Sequence, residues 1–408
     1  MRCGGCCRGP EDGRIARNTS PSHYPTTILI PSLAGICRVE IPSPCDARCL
    51  GRMGQASAIR KRLNTMKKLL AILLLFCLPS QGKASPIEGN TKEQKGVLFG
   101  AYMDFGETED AVTLEGIEDF EKLAGKRPAI IASSSYWGEQ TFPKKNLALI
   151  DRHGATPLIF WSPWDKPYDQ NKGPDRFSLR EILSGKWDAY IDAWGDGAKE
   201  FGKPFLVSFC NEMNGDWFPW SGCFYGAKKG GNEVFKRAWR YVIDRVRARG
   251  ASNIRWVFHV NAFPAENDMW NMMAAYYPGP NYVDWLGLSV YGKQFRKSDD
   301  WAEFKPLLDW PYKELTAIDP VKPVMIAEFG VGDFPKLGSK SEWIKDALSM
   351  IPEYPRIKAA VYWHERWQNQ DGSFSNIRIN SSPTVLKAFR EGISHPMWIP
   401  SKNETDLR

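Results

Sequence analysis

Histidine is sparse in this chain, five residues in 408, and cysteine is sparse wherever the sequence reads as folded. Seven of the nine cysteines (Cys3, Cys6, Cys7, Cys37, Cys45, Cys49 and Cys77) precede residue 85, leaving Cys210 and Cys223. Zinc sites need Cys and His at regular short spacings. Beside Cys3-x-x-Cys6 the leader offers only His23, and no ligand spacing follows, so no metal or other cofactor is implied. Net charge is also missing where a polyanionic partner would need it. The formal total is +7, but residues 1–84 hold 13 of the 54 basic and 4 of the 47 acidic residues. The remainder carries 41 basic against 43 acidic side chains, which removes the electrostatic case for nucleic acid. A membrane-length apolar run is lacking as well. Leu69 to Leu78 is about half of the ~20 residues that a spanning helix requires.

That short run has a different meaning. Met66-Lys67-Lys68 precedes it and Gly82-Lys83-Ala84 follows, the layout of a signal peptide (66–84) cleaved near Ala84. The chain is therefore expected to be secreted or periplasmic, with no membrane anchor after cleavage. A signal peptide acts at a nascent N-terminus, so residues 1–65, with scattered Arg, Pro and Cys and no periodicity, read as a non-native or disordered extension. Export makes a Cys210–Cys223 disulfide chemically possible; a buried thiol at Cys210 is the alternative.

What the chain has in quantity is apolar and aromatic residues, 43% and 13%, with 17 Trp. From residue 96 onward, short apolar runs alternate with amphipathic stretches, the pattern of repeated βα units. Eight runs stand out: Val97 to Met103, Ala129 to Ser133, Thr156 to Trp161, Phe205 to Phe209, Ile254 to His259, Trp285 to Val290, Val324 to Ala327 and Ala359 to Trp363. Glu233 to Arg249 is the clearest helix, with Val234, Phe235, Ala238, Trp239, Val242, Ile243 and Val246 at helical spacing. Eight units in about 300 residues fit a (β/α)8 TIM barrel, a single domain over 85–408. An open doubly wound sheet would show a Gly-rich phosphate turn after the first strand, and none is present.

Polar residues collect at the ends of these runs: Trp161-Ser162-Pro163-Trp164-Asp165, Asn211-Glu212-Met213-Asn214, His259-Val260-Asn261, Tyr291, Glu328 and Trp363-His364-Glu365. In a barrel, C-terminal strand ends converge on one face, where active sites of this fold lie. Glu212 ends run four and Glu328 run seven, on opposite sides of the ring. Two carboxyl groups about 5–5.5 Å apart are what retaining glycosidic-bond cleavage needs.

The segment Phe209-Cys210-Asn211-Glu212-Met213-Asn214-Gly215-Asp216-Trp217-Phe218-Pro219-Trp220 resembles the acid/base motif of glycoside hydrolase family 26, whose founding activity is endo-β-1,4-mannanase. Val283 to Gly292 resembles that family's sixth strand and Lys322 to Gly330 its nucleophile strand; the resemblance covers about 96–392. It implies Glu212 as acid/base and Glu328 as nucleophile, with a polysaccharide or oligosaccharide as partner; a monomer is expected. Tyr291, at the neighbouring strand end, is placed to donate a hydrogen bond to Glu328, and Trp363 resembles the aromatic platform beneath the sugar. Family members usually carry His where this chain has Asn211; in the wider clan an Asn there bonds the sugar 2-hydroxyl. Mannan is thus the first expected substrate, with β-1,3-1,4-glucan and β-1,3-xylan as competitors and a non-catalytic glycan-binding barrel as the rival class. Trp161, Trp164, Trp217 and Trp220 are further candidates for sugar stacking. His259 and His364 are candidates to line the cleft, and Glu365 is the internal rival to Glu328.

Overall fold

The computed structural model describes residues 96–167, 173–296, 301–369 and 371–400. The leader and extension read from the sequence lie outside these described residues.

Eight parallel strands form one sheet that closes on itself. They are β1 (Val97–Tyr102), β2 (Ile130–Tyr136), β3 (Thr156–Ser162), β4 (Phe205–Phe209), β5 (Ile254–Asn261), β6 (Trp285–Tyr291), β7 (Val324–Gly330) and β8 (Ile357–Trp363). Each pairs with its neighbours in sequence, and β8 returns to β1 from Leu98 opposite Ala359 to Tyr102 opposite Trp363. Nearly every strand residue is buried, because one face fills the barrel and the other meets helices; the strands accordingly read as continuous apolar runs without polar alternation. All eight runs expected from the sequence are strands of this barrel, several of them longer by one to three residues.

Helices fill the return paths: α1 (Leu114–Ala124), α2 (Lys144–Arg152), α3 (Leu179–Leu183), α4 (Asp188–Phe201), α5 (Gly231–Ala248), α6 (Met273–Tyr276), α7 (Phe304–Ile318), α8 (Lys340–Met350) and α9 (Pro383–Ile393). α5 buries Phe235, Ala238, Trp239, Val242, Ile243 and Val246, the stripe its spacing foretells, with Val234 at the edge. Its polar flank meets α4, where Arg245 bonds Asp188 and Asp192. Thr113, Ser178, Ser339 and Ser382 each cap a helix by accepting a backbone N–H, which satisfies donors the helix cannot. Two short additions matter for the mouth and base: a hairpin of β9 (Arg366–Gln368) and β10 (Phe374–Asn376) follows β8, and β11 (Trp398–Ile399) pairs with the start of β1. No helix among the described residues is long and apolar enough to cross a membrane.

Candidate active site

The chain leaves β4 through two unusual backbone conformations. Cys210 and Glu212 both have φ of 52°, the left-handed region that non-glycine residues avoid at a cost of roughly 1–3 kcal/mol each. Surrounding contacts hold this turn. The Glu212 N–H donates to the His259 carbonyl at 2.8 Å, and Trp220 Nε1 donates to the Asn211 carbonyl at 2.6 Å. Asn214 grips β5 twice: its Nδ2 donates to the Asn261 carbonyl at 2.8 Å and its Oδ1 accepts the Asn261 N–H at 2.9 Å. The glycine of the Glu-Met-Asn-Gly-x-Trp element has its own reason. A Cβ on Gly215 would stand 2.5 Å from the Trp217 ring, so only glycine lets that indole fold back and donate from Nε1 to Glu212 Oε2 at 2.7 Å.

Glu328 arrives by a different device. Along β6 and β7, Leu288 pairs with Ile326 but Ser289 pairs with Glu328, so β7 holds one extra residue, and its register against β8 shifts in the same stretch. Paired residues point to the same side of a sheet. Ser289 points into the barrel, where it meets His259, so Leu288 and Ile326 point out, and regular alternation would send Glu328 out with them. The bulge at Ala327 reverses that parity and aims Glu328 inward. Phe329 resumes the outward face, packing edge-on against Tyr362 at 5.2 Å.

The two carboxyl groups meet. A Glu212 oxygen, a Glu328 oxygen and a ring nitrogen of His259 all lie within 4.8 Å of one another. Both glutamates are buried, 7% and 8% exposed, and burial pushes both above the usual carboxylate range; the charge of Glu212 raises Glu328 further. Donors oppose this. Trp217 and Ser289 hydrogen-bond Glu212, and the Tyr291 hydroxyl donates to Glu328 Oε2 at 2.8 Å. Tyr291 keeps its proton, because burial and the neighbouring Glu328 push its ionisation well above that of a free phenol. The pair is therefore built to hold one proton between two sites.

Beneath the carboxyls lies His259, fully buried and shifted down to about 3 by desolvation, hence neutral. Its Nδ1 is 3.0 Å from Ser208 Oγ and its Nε2 2.7 Å from Ser289 Oγ. With both nitrogens engaged by hydroxyls, the three-residue cluster is organised around protons; a cation would have to displace Ser289 from Nε2.

Trp363 ends β8 with Tyr102 stacked on one face, centroids 4.0 Å apart, and its Nε1 donates to Glu365 Oε2 at 2.7 Å. Glu365 is thus engaged in orienting Trp363, although its charge and that of Glu109 also reach Glu328. Glu109, with φ of 59°, accepts from the Ser134 hydroxyl at 2.8 Å.

The structure brings Glu212, Glu328, Trp217, Tyr291 and His259 together, with Trp363 joined to His259 through the Phe160 ring and Asn211 next to Glu212 in the chain; His259 is a buried support and not a cleft wall. Three expectations need correction. Trp161 is fully buried on the outer face of β3, stacked on Trp194 of α4 at 4.0 Å, and cannot meet a sugar. Trp164 packs edge-on against both Trp220, at 5.8 Å, and Phe218, at 5.6 Å, and Trp220 stacks on Phe218 at 4.7 Å, so both indoles are taken up in supporting the β4 loop. His364 accepts the Ile379 N–H on Nδ1 and meets Phe120 of α1, away from the carboxyls. No disulfide joins Cys210 and Cys223. The reading missed Ser208, Ser289 and Glu109. A lone serine in each of the apolar strands Phe205–Phe209 and Trp285–Tyr291 was a usable signal; Glu109, in a loop, gave none.

A parallel (β/α)8 barrel with paired buried carboxyls at its C-terminal mouth is the class that fold and site define. Residues 177–349 match the model of "Glycosyl hydrolase family 26". Over those residues the chain is similar to this family. It is 30% identical over 332 residues to Endoglucanase H of Acetivibrio thermocellus, a match covering 80% of this chain and 34% of that one. This chain thus spans about a third of that relative's length. It is 22% identical over 358 residues to a mannan endo-1,4-beta-mannosidase of Bacillus subtilis, covering 74% and 90%. A solved GH26 beta-mannanase from Bacteroides ovatus shares the fold with a TM-score of 0.55 at 20% identity, over 75% of this chain and 91% of that one.

Proposed function

We propose that this protein is a retaining glycoside hydrolase of a β-linked polysaccharide. The observation that carries the reading is the approach of one Glu212 oxygen to one Glu328 oxygen within 4.8 Å, which suits the spacing of about 5–5.5 Å between carboxyl groups used for double displacement. Ionised Glu328 attacks the anomeric carbon as Glu212 protonates the departing glycosidic oxygen. In the second step Glu212, now a carboxylate, takes a proton from water, whose oxygen displaces Glu328 and returns the original anomeric configuration. Trp217 and Tyr291 hold the two groups, and Trp363 supplies a flat apolar face at the cleavage point.

Mannan is the first substrate of this proposal, supported by a mannan endo-1,4-beta-mannosidase of which the chain covers 90%. β-Glucan is the second reading, favoured by the higher identity to a protein named Endoglucanase H and by Asn211 in the position that meets the 2-hydroxyl, which is axial in mannose and equatorial in glucose. Reducing-sugar release from mannan, mixed-linkage β-glucan and β-1,3-xylan separates them, and NMR of the first-formed anomer reads the stereochemistry. Glu328→Ala is expected to lower turnover by about three orders of magnitude or more. Undiminished hydrolysis by that variant, or an inverted product, defeats the proposal. Export belongs to the same reading: with Met66–Ala84 as leader, the mature protein recovered outside the cytoplasm is expected to begin near Ser85, which N-terminal sequencing checks.

A further inference from the structure

His259 is placed where it cannot touch substrate, yet every polar atom of its ring is committed. It is fully buried, on β5, and lies between two serines: Ser208 Oγ at 3.0 Å from Nδ1 and Ser289 Oγ at 2.7 Å from Nε2. Ser289 in turn hydrogen-bonds Glu212. The result is an unbroken line, Ser208 to His259 to Ser289 to Glu212, running from the barrel interior to the carboxyl pair. A neutral imidazole has one N–H and one lone pair, and each hydroxyl has one proton, so such a line admits two proton orders only.

In one order, Ser208 donates to Nδ1, Nε2–H donates to Ser289, and Ser289 donates to Glu212. In the other every bond reverses, and Glu212 must surrender its own proton to Ser289. The second order would aim the acid's proton into the protein, away from a leaving group. It also calls for a protonated carboxyl, whereas Trp217 Nε1 already donates to Glu212 Oε2 and favours the anion. We propose that Ser208, His259 and Ser289 are positioning residues that form a one-way hydrogen-bond chain, with His259 fixed as the Nε2–H tautomer, which presents a hydroxyl donor to Glu212 and stabilises its carboxylate for the base-catalysed half of the reaction.

The chain answers a specific difficulty of the site. Burial disfavours a charge on Glu212, yet Glu212 must become a carboxylate once it has given up its proton, at the stage where Glu328 is esterified. The titratable groups facing the pair are His259 on β5, Tyr291 on β6, Glu109 from the segment after β1 and Glu365 after β8. His259 is neutral and Tyr291 donates to Glu328, so the help for Glu212 comes from Trp217 and from Ser289, and Ser289 can point its proton at Glu212 only while His259 supplies Nε2–H.

The inference rests on Glu212 being the acid/base, and two measurements on the full chain separate its failure from failure of that assignment. The first is the pH profile of kcat/KM on the best polymer. Ser289→Ala should move the alkaline limb, which reports the acid, upward by about one pH unit, as expected for loss of one hydrogen bond to a charged group. His259→Gln, whose amide nitrogen falls where Nε2 was, should keep the wild-type limb; His259→Leu, which cannot donate, should shift it in the direction of Ser289→Ala. Limbs that superimpose in all four proteins, with turnover uniformly lowered, assign these residues a merely structural part and overturn the proposal. The second is the 15N NMR signature of the His259 ring in the unaltered protein, which needs neither activity nor a variant that folds: Nε2–H supports the chain, and Nδ1–H overturns it. Should Glu212→Ala retain full hydrolysis, the acid/base assignment fails, while the tautomer is still read independently.

Discussion

Replacing Tyr291 by Phe removes one oxygen from the site and little else. The Tyr291 hydroxyl donates to Glu328 Oε2 at 2.8 Å, and the phenol stays protonated because burial and adjacent carboxyls hold its ionisation far above the usual range. A hydrogen bond to a charged group contributes roughly 1.5–3 kcal/mol, and one pKa unit corresponds to about 1.4 kcal/mol, so losing this donor should raise the ionisation of Glu328 by about one to two units. The sign follows from the roles proposed for Glu328 and Glu212. A nucleophile reacts when ionised, so the acidic limb of kcat/KM should move up by that amount, while the alkaline limb, set by Glu212, moves less. On the acidic limb at a fixed pH, this is about a 10–100-fold loss. Initial rates on a soluble β-glycan from about pH 4 to about pH 9 measure it. An acidic limb that superimposes on that of the unaltered protein, with only the plateau lowered, would refute the assignment of Tyr291 as the group that favours the Glu328 anion.

Other consequences are equally open to measurement. Because Glu328 titrates higher folded than unfolded, its ionisation at neutral pH works against the fold; Glu328→Gln should raise Tm at pH 7 by about 2 °C or more while activity collapses, and a lower Tm would contradict the burial argument. Gly215→Ala forces a methyl against Trp217, so the indole must leave Glu212, and kcat should fall about tenfold or more with the fold intact; kinetics beside circular dichroism would tell. His259 and His364 are held neutral with pKa values near 3. Unfolding lets each take up a proton below its free pKa of about 6.5, so stability should decline as pH falls from there toward 3, at most about 1.4 kcal/mol per unit for each histidine. His364→Asn keeps an acceptor for the Ile379 N–H and should flatten part of that decline in a melting series.

The fold was legible because a barrel buries its strands on both faces, so each appears as an uninterrupted apolar run between amphipathic stretches. The same property hid half of the site. Phe160 and Trp161 are adjacent aromatics at the end of β3, and nothing in their chemistry says which faces inward. In the structure Phe160 meets Trp363 and His259, and Trp161 goes out to Trp194. At the end of β8 Trp363 faces in and His364 out, again by parity that sequence pattern alone does not set. Glu212 and Glu328 were readable because carboxylates are rare at the ends of apolar runs. Ser208 and Ser289 were overlooked as small residues in strands, although their hydroxyls link the interior of the barrel to Glu212.

The single additional residue in β7 makes the carboxyl pair hostage to counting. Were β7 to run on as a regular strand with Ala327 in the ladder, each later side chain would exchange inside for outside: Glu328 would be driven among the apolar side chains of the helical shell, a charge without a counter-ion, and Phe329 would take its place inside the barrel. Deletion of Ala327 itself would leave Ser289 opposite Glu328 in an unbroken ladder, so the strand can lose the extra residue and still present the carboxyl inward.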